Sequence, residues 1–317
     1  MADAATMDGP AASADEVLDG LKAEIGAEGF QHLLDPAHSV TFIARGPKLL
    51  VSFERIQDTL DITPTGLPLG LDFAEDKNWS VLHFAANGDT WFRSPAIYAF
   101  LDEMVDDAFF EDFDQVTFFG SNMGGYAAAA FSVVAPGSTV VALSPQATLD
   151  VDRAGWDTRF PAARLLDFND RYGYAPDMVE GADRAYVLFD PAQLLDAVHA
   201  SLFHGPNVTQ LKCRYFRSTI ARTLCELDLL HKVIEDAAEG RLTPAGFYAL
   251  LRKRRDHSRY LRSLLFHLDD LQRPYLMALY CTHVLSRMSA PAFRRRLNAA
   301  RAVLAERGPL PDWLSDA

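Results

Sequence analysis

Val116-Thr-Phe-Phe-Gly-Ser-Asn-Met-Gly-Gly-Tyr126 decides how the rest of this chain is read. Val116-Thr-Phe-Phe119 is a short apolar run rich in strand formers. Tyr126-Ala-Ala-Ala-Ala-Phe-Ser-Val-Val134 suits a buried helix packed closely on a sheet. A sharp strand-to-helix turn forces its apex residue into a strained backbone conformation, so the residues two before and two after must be small. With Asn122 at the apex those flanks are Gly120 and Gly124; with Ser121 they become Phe119 and Met123. The spacing therefore presents Asn122 and not the neighbouring serine. Ser138-Thr-Val-Val-Ala-Leu143, after a stop at Pro136-Gly137, reads as the next strand and completes a strand–turn–helix–strand unit with a right-handed crossover. The plainer reading is a glycine-rich turn that serves only close helix–sheet packing.

Outward from this unit the pattern alternates. Residues 14–34 read as an amphipathic helix, with Val17, Leu18, Leu21 and Ile25 on one face. Val40-Thr-Phe-Ile43 and Leu49-Leu-Val-Ser-Phe53 read as a hairpin turning at Arg45-Gly-Pro47. Residues 56–76 are rich in turn formers and give no assignment. Ser80–Ala85 is a strand that ends in the loop Asn87-Gly-Asp89, and Ser94-Pro95 caps a helix running to about Val105. Residues 144–183 have little regular pattern and are dense in Pro, Gly, Asp and aromatic residues, as in an insertion that covers a site. A strand over 185–189, a helix over 194–202 and a strand over 208–213 follow. The alternation predicts an α/β fold with a doubly wound, mostly parallel sheet. Four or five helices are expected in residues 219–307. The domain reading is a disordered stretch over 1–14, an α/β domain over 15–240 and a basic helical appendage over 241–317.

On the Gly120-Ser-Asn-Met-Gly-Gly125 turn and this order of elements, residues 38–240 resemble the α/β-hydrolase superfamily, whose nucleophile stands on such an elbow. The chain also resembles a bacterial family of this fold labelled phosphoadenosine phosphosulfate reductase. The Glu-Cys-Gly-Leu-His motif of the reductases is absent, and Leu224-Cys-Glu-Leu-Asp-Leu-Leu-His231 only echoes it. The hydrolase resemblance implies an acid after a late strand and a histidine after the final one. Asp190 stands at the acid place, or is simply an Asp-Pro helix cap. Arg217, in Tyr215-Phe-Arg-Ser-Thr219, stands where the histidine belongs, and an arginine stays protonated and is no general base near neutral pH. His199 is the histidine best placed to substitute; His204 belongs to the side facing away, and His83 reads as a packed core residue.

A carboxamide is a poor nucleophile, so the apex and the histidine place both depart from the chemistry that activates a hydroxyl. The main expectation is a catalytically weakened protein that binds a small anionic or carbonyl ligand, or a protein partner. An elbow aims backbone N–H groups at what lies above it. Gly120, Met123 and Gly124 are therefore ligand-binding candidates, with Asn122, Arg217, Arg93 and Asp89 as polar partners. The alternative is an active hydrolase or an acyl- or glycosyl-modifying enzyme, using Ser121 after a backbone shift or Asn122 after deamidation to aspartate. A third reading is a scaffold acting through the basic helices.

Composition narrows the classes. Of 317 residues, 49% are hydrophobic, enough for a sizeable core. Cys213, Cys225 and Cys281 are few and scattered, with no metal-ligand spacing or disulfide framework, which fits a reducing cytoplasm. Neither a metal nor an organic cofactor is expected. The acidic N-terminus lacks the apolar core of a signal peptide, and no run approaches bilayer length. The net charge of −13 hides an asymmetry: residues 241–317 hold 14 Lys and Arg against 6 Asp and Glu, leaving 16 against 37 in residues 1–240. The basic tract Arg252-Lys-Arg-Arg255 is short and the large acidic part repels phosphates, so nucleic acid is not an expected partner.

Overall fold

The computed structural model describes residues 14–62 and 67–315. The expectation of disorder at the N-terminus falls outside the described residues, apart from Ala14, which opens the first helix. Eight strands form one sheet: β1 Phe30–Asp35, β2 His38–Ile43, β3 Lys48–Arg55, β4 Ser80–Ala86, β5 Gln115–Ser121, β6 Thr139–Leu143, β7 Arg184–Phe189 and β8 Val208–Lys212. Their order is β1-β2-β4-β3-β5-β6-β7-β8. β1 and β2 run antiparallel to their neighbours and β3 to β8 are parallel. With helices on both faces and the elbow after β5, this is a doubly wound sheet of α/β-hydrolase type.

Central strands are apolar on both faces because both are covered. Val51, Phe53, Phe84, Phe118, Val140 and Val187 share one core with the fully buried helix Met123–Phe131. The alternate residues Leu50, Phe119 and Val141 are equally buried, and helix Leu230–Ala238 packs on β5 and β6. Four consecutive alanines, Ala127 to Ala130, let helix Met123–Phe131 lie close against β3, β5 and β6.

Two local expectations are corrected. The first helix stops at Ala23, after which Gly26 and Gly29 break the helical pattern and Phe30–Asp35 becomes an edge strand. Phe30 and Leu34 pack against the core while His32 and Leu33 are exposed. β2 and β3 are not a hairpin, because β4 lies between them. The Ser80 hydroxyl accepts the N–H groups of Arg45 and Gly46 at 3.0 and 3.2 Å and donates to the Gly46 carbonyl at 2.8 Å. The turn at Arg45-Gly46-Pro47 is thereby tied to the start of β4, and β3 pairs β4 in parallel, Val51 opposite Leu82.

The unassigned stretch holds helices Ile56–Ile62 and Leu69–Lys77. Helix Pro95–Asp106 begins as expected, its Ser94 hydroxyl accepting the Ala96 N–H at 3.2 Å. Residues 219–307 hold six α-helices, more than the four or five expected, because turns at Asp228 and Gly240 divide the apolar pattern into shorter pieces.

The chain forms two compact units. The first runs to Leu250 without 215–217; the second joins Tyr215–Arg217 to the residues from Leu251 on. Helix Pro244–Leu250, expected in the appendage, lies in the first unit, where the Tyr248 hydroxyl accepts the Lys212 N–H at 3.1 Å. The second unit has its own core, built by Leu261, Leu265, Met277, Cys281, Phe293 and Leu297 from helices Ser258–Asp270, Pro274–Leu285 and Pro291–Ala305. Among the described residues no helix is long and apolar enough to cross a membrane.

Candidate functional site

Asn122 has φ 53° and ψ −119°, a strained conformation for a non-glycine residue that costs about 1–3 kcal/mol. Its neighbours hold it there. The Asn122 N–H donates to the Leu143 carbonyl at 2.8 Å, and its own carbonyl accepts the Tyr126 N–H at 3.0 Å. A Cβ on Gly120 would meet the Gly124 carbonyl oxygen at 2.1 Å, and one on Gly124 would meet the Phe53 oxygen at 2.0 Å. The elbow is therefore framed on Asn122, with Ser121 one residue before it at the end of β5. The first N–H groups of the helix, Met123 and Gly124, have no partner within the helix and are available to a bound oxygen.

Both Ser121 and Asn122 line a cleft of about 220 Å³ at the carboxyl ends of β3 and β5. Its walls also carry Glu54, Arg55, Asp58, Ser218, Thr219 and Arg222. No histidine lines it among the described residues. A larger hollow of about 750 Å³ lies at the opposite edge, near Lys48, Gln115, Thr139 and Arg184, where the strands begin. The smaller cleft holds the elbow, and ligands of open α/β sheets sit at carboxyl ends of strands.

Glu54 is one of the cleft residues that the sequence reading missed. It follows the apolar run Leu49–Phe53 at the end of β3 and is 8% exposed. Its carboxylate accepts the N–H groups of Leu69 at 2.9 Å and Gly70 at 2.8 Å, and so caps helix Leu69–Lys77. Burial raises its pKa from 4.5 to about 7, against the opposing pull of those two N–H groups. His83 Nδ1 lies 4.0 Å from Glu54 and 2.8 Å from the Ser52 hydroxyl. These three do not form a nucleophile relay: serine and acid face the same ring nitrogen, and burial pushes His83 down to about 3.

Glu54 carries a pH prediction. Between its ordinary value and about 7 the folded state binds the proton more firmly than the unfolded chain, so stability falls as pH rises through that window. The full span is about 3 kcal/mol. Glu54→Gln removes the charge but also one of two acceptors facing Leu69 and Gly70. The variant should be more stable than wild type at pH 8 and less stable at pH 5 in urea unfolding. The same ranking at both pH values would show that Glu54 does not titrate as stated.

The other candidates divide. Asp89 reaches the cleft wall indirectly: Arg55 donates to it at 2.7 Å and to Asp58 through two nitrogens, so the Arg55 charge is matched by two carboxylates. Asp190 is fully buried directly after β7, the expected place, with its carboxylate accepting the Ala192 N–H at 2.9 Å. Arg217 sits in the loop after β8 at φ 56° and groups with the second unit; Ser218 and Thr219 are that loop's contribution to the cleft.

His199 and Arg93 do not line the cleft. His199 is fully buried on helix Leu194–Leu202, with Nδ1 accepting the Ala147 N–H at 3.1 Å and Nε2 3.0 Å from Asp157. A ring accepting at Nδ1 carries its proton on Nε2, so the neutral imidazole donates to Asp157. Burial lowers the His199 pKa, partly offset by Asp157. Arg93 is 8% exposed and donates to the carbonyls of Asp167 and Arg171, each at 2.9 Å, with its guanidinium over Tyr98 and Phe168. Both residues pin the segment 144–183 to the body. That segment gives no lining residue to the cleft; Ala147, Leu149, Ala163, Phe168 and Ala175 are part of the core instead.

No family model matches the chain, and no curated protein does. Among solved structures the chain is similar to a Pyrobaculum calidifontis esterase, with 14% identity over 71% of this chain and 88% of that one and a TM-score of 0.42. It is similar to carboxyl esterase 2 of Tuber melanosporum, with 10% identity over 68% and 88% and a TM-score of 0.43. It is also similar to the capsule O-acetyltransferase of Neisseria meningitidis serogroup A, with 11% identity over 62% and 92% and a TM-score of 0.40.

Proposed function

We propose that the cleft over Asn122 binds a small carbonyl- or carboxyl-bearing molecule without forming a covalent acyl-enzyme. One observation supports this above the rest: the apex keeps the full elbow geometry, yet it carries a carboxamide and, among the described residues, no histidine lines the cleft. The Met123 N–H and the Asn122 amide are donors for a ligand oxygen, while nothing at the apex deprotonates a nucleophile. Treatment with a fluorophosphonate should leave the intact mass unchanged. A stoichiometric adduct mapped to Ser121, lost in Ser121→Ala, would overturn the proposal. A mass gain at Asn122 from amide to acid would point to an aspartate apex instead.

A second reading, an acyl-transferring or hydrolysing enzyme, rests on Glu54. A carboxylate near pH 7 on the cleft wall is suited to take a proton from water. Turnover of short activated esters or thioesters that survives Ser121→Ala, disappears in Glu54→Gln and rises through pH 7 would favour it. Reductive thiol chemistry has no comparable support: burial pushes the Cys225 and Cys281 thiols up to about 12, away from the reactive thiolate.

A further inference from the structure

We infer that Arg222 is the anion anchor of this cleft, and that the ligand is a short acyl compound with a carboxylate at the end away from its carbonyl. The inference rests on the carbonyl-binding reading and names the class of molecule.

The cleft has two arginines in different states. Arg55 is committed: Asp58 receives two of its nitrogens and Asp89 a third. Arg222, half-buried on helix Ile220–Glu226, donates to the backbone carbonyl of Asp61 and has no carboxylate partner among the described residues. A guanidinium has five N–H donors in a planar fork, so most remain for a ligand carboxylate. Each acidic side chain of the cleft has a hydrogen-bond donor of its own, and among the described residues Asp58 alone of them faces an arginine. Asp58 faces Arg55, the Asp61 carboxylate accepts from Gln57 at 3.2 Å, and Glu54 faces the N–H groups of Leu69 and Gly70.

Size and polarity set the rest. The cleft of about 220 Å³ lies below the roughly 300–1,000 Å³ of pockets that enclose drug-sized ligands, which favours a short one. The elbow supplies neutral donors suited to a carbonyl oxygen, and Arg222 supplies a positive charge. A molecule that satisfies both in so small a space is a short chain with a carbonyl at one end and a carboxylate at the other. The bond to Asp61 also has a purely architectural reading, in which Arg222 ties helix Ile56–Ile62 to helix Ile220–Glu226.

Calorimetry with monomethyl succinate and dimethyl succinate separates these readings. The two probes share the ester carbonyl and differ in the terminal charge. Wild type should bind the monoester about tenfold more tightly or better, since only the monoester offers the guanidinium a charged acceptor. Arg222→Gln should abolish that preference by weakening the monoester far more than the diester, while Arg222→Lys should keep part of it. High salt should weaken the monoester alone. Equal binding of both probes by wild type, or an equal loss of both in Arg222→Gln, would overturn the anchor. Binding of the diester only would sink the anchor and leave the carbonyl-binding reading standing. Binding of neither probe would remove both. Urea unfolding of ligand-free Arg222→Gln separates a lost tie between helices from a lost anchor.

Discussion

Replacing Gly124 by alanine should destabilise the protein by about 3 kcal/mol or more, and Gly120→Ala should do the same. The added methyl of Gly124→Ala would lie 2.0 Å from the Phe53 carbonyl oxygen in β3; that of Gly120→Ala would lie 2.1 Å from the Gly124 oxygen. Neither obstacle is a flexible side chain. Relief requires moving the helix Met123–Phe131 off the sheet, and this helix contributes Tyr126, Ala127 and Phe131 to the main core. Overpacking typically costs about 1–3 kcal/mol when side chains absorb it, and more when backbone must move. Gly181→Ala is the matched control, because its Cβ meets nothing within 4 Å. Urea unfolding of the three variants decides the matter. A Gly124→Ala protein within about 0.5 kcal/mol of the control would mean that the turn is looser than the frame on Asn122 requires.

The second large effect is expected at His199, through stability and not through the cleft. His199→Ala leaves the buried Ala147 N–H without an acceptor and opens space beside Trp156, whose ring centroid lies 4.6 Å away. It also removes one partner of Asp157, which retains Arg159 at 2.8 Å. Cavity and unsatisfied donor together amount to about 3–5 kcal/mol. His199→Asn keeps an acceptor toward Ala147 and His199→Gln keeps a donor toward Asp157, so each should recover part of the loss and neither all of it. The pH dependence has a definite sign. Burial lowers the folded-state pKa of His199, so the unfolded chain binds the proton more readily. Stability is complete above the ordinary histidine range and falls as pH drops below it. The asparagine variant should lose that part of the acid sensitivity. If His199→Ala leaves stability intact but abolishes ligand binding, the imidazole belongs to the site after all.

These outcomes mark where reading the chain reached its limit. The elbow was legible because steric exclusion acts over five consecutive residues: Gly120 and Gly124 pick out Asn122 with no knowledge of the rest. Asp190 was legible in place, since a short strand delivers it to the sheet edge. Glu54 and Arg222 carried no such local signal. They lie far apart in sequence, and they share a cleft because β3 pairs with β5 and the helix after β8 folds back beside it. Glu54 offered one clue, a charged residue directly after an apolar strand.

His199 and Arg93 stand away from the cleft lining for the converse reason. Their residue types suit chemistry, but their roles depend on the segment 144–183, which has no periodicity to locate it. The supposed hairpin failed because pairing is not local: β4, some forty residues after β2, enters between β2 and β3. By itself, then, the sequence determined the alternation of strands and helices, the strained turn and its asparagine. Tertiary structure alone decided which charges are paired with an opposite charge and which are not, because burial and pairing join residues that sequence spacing keeps apart.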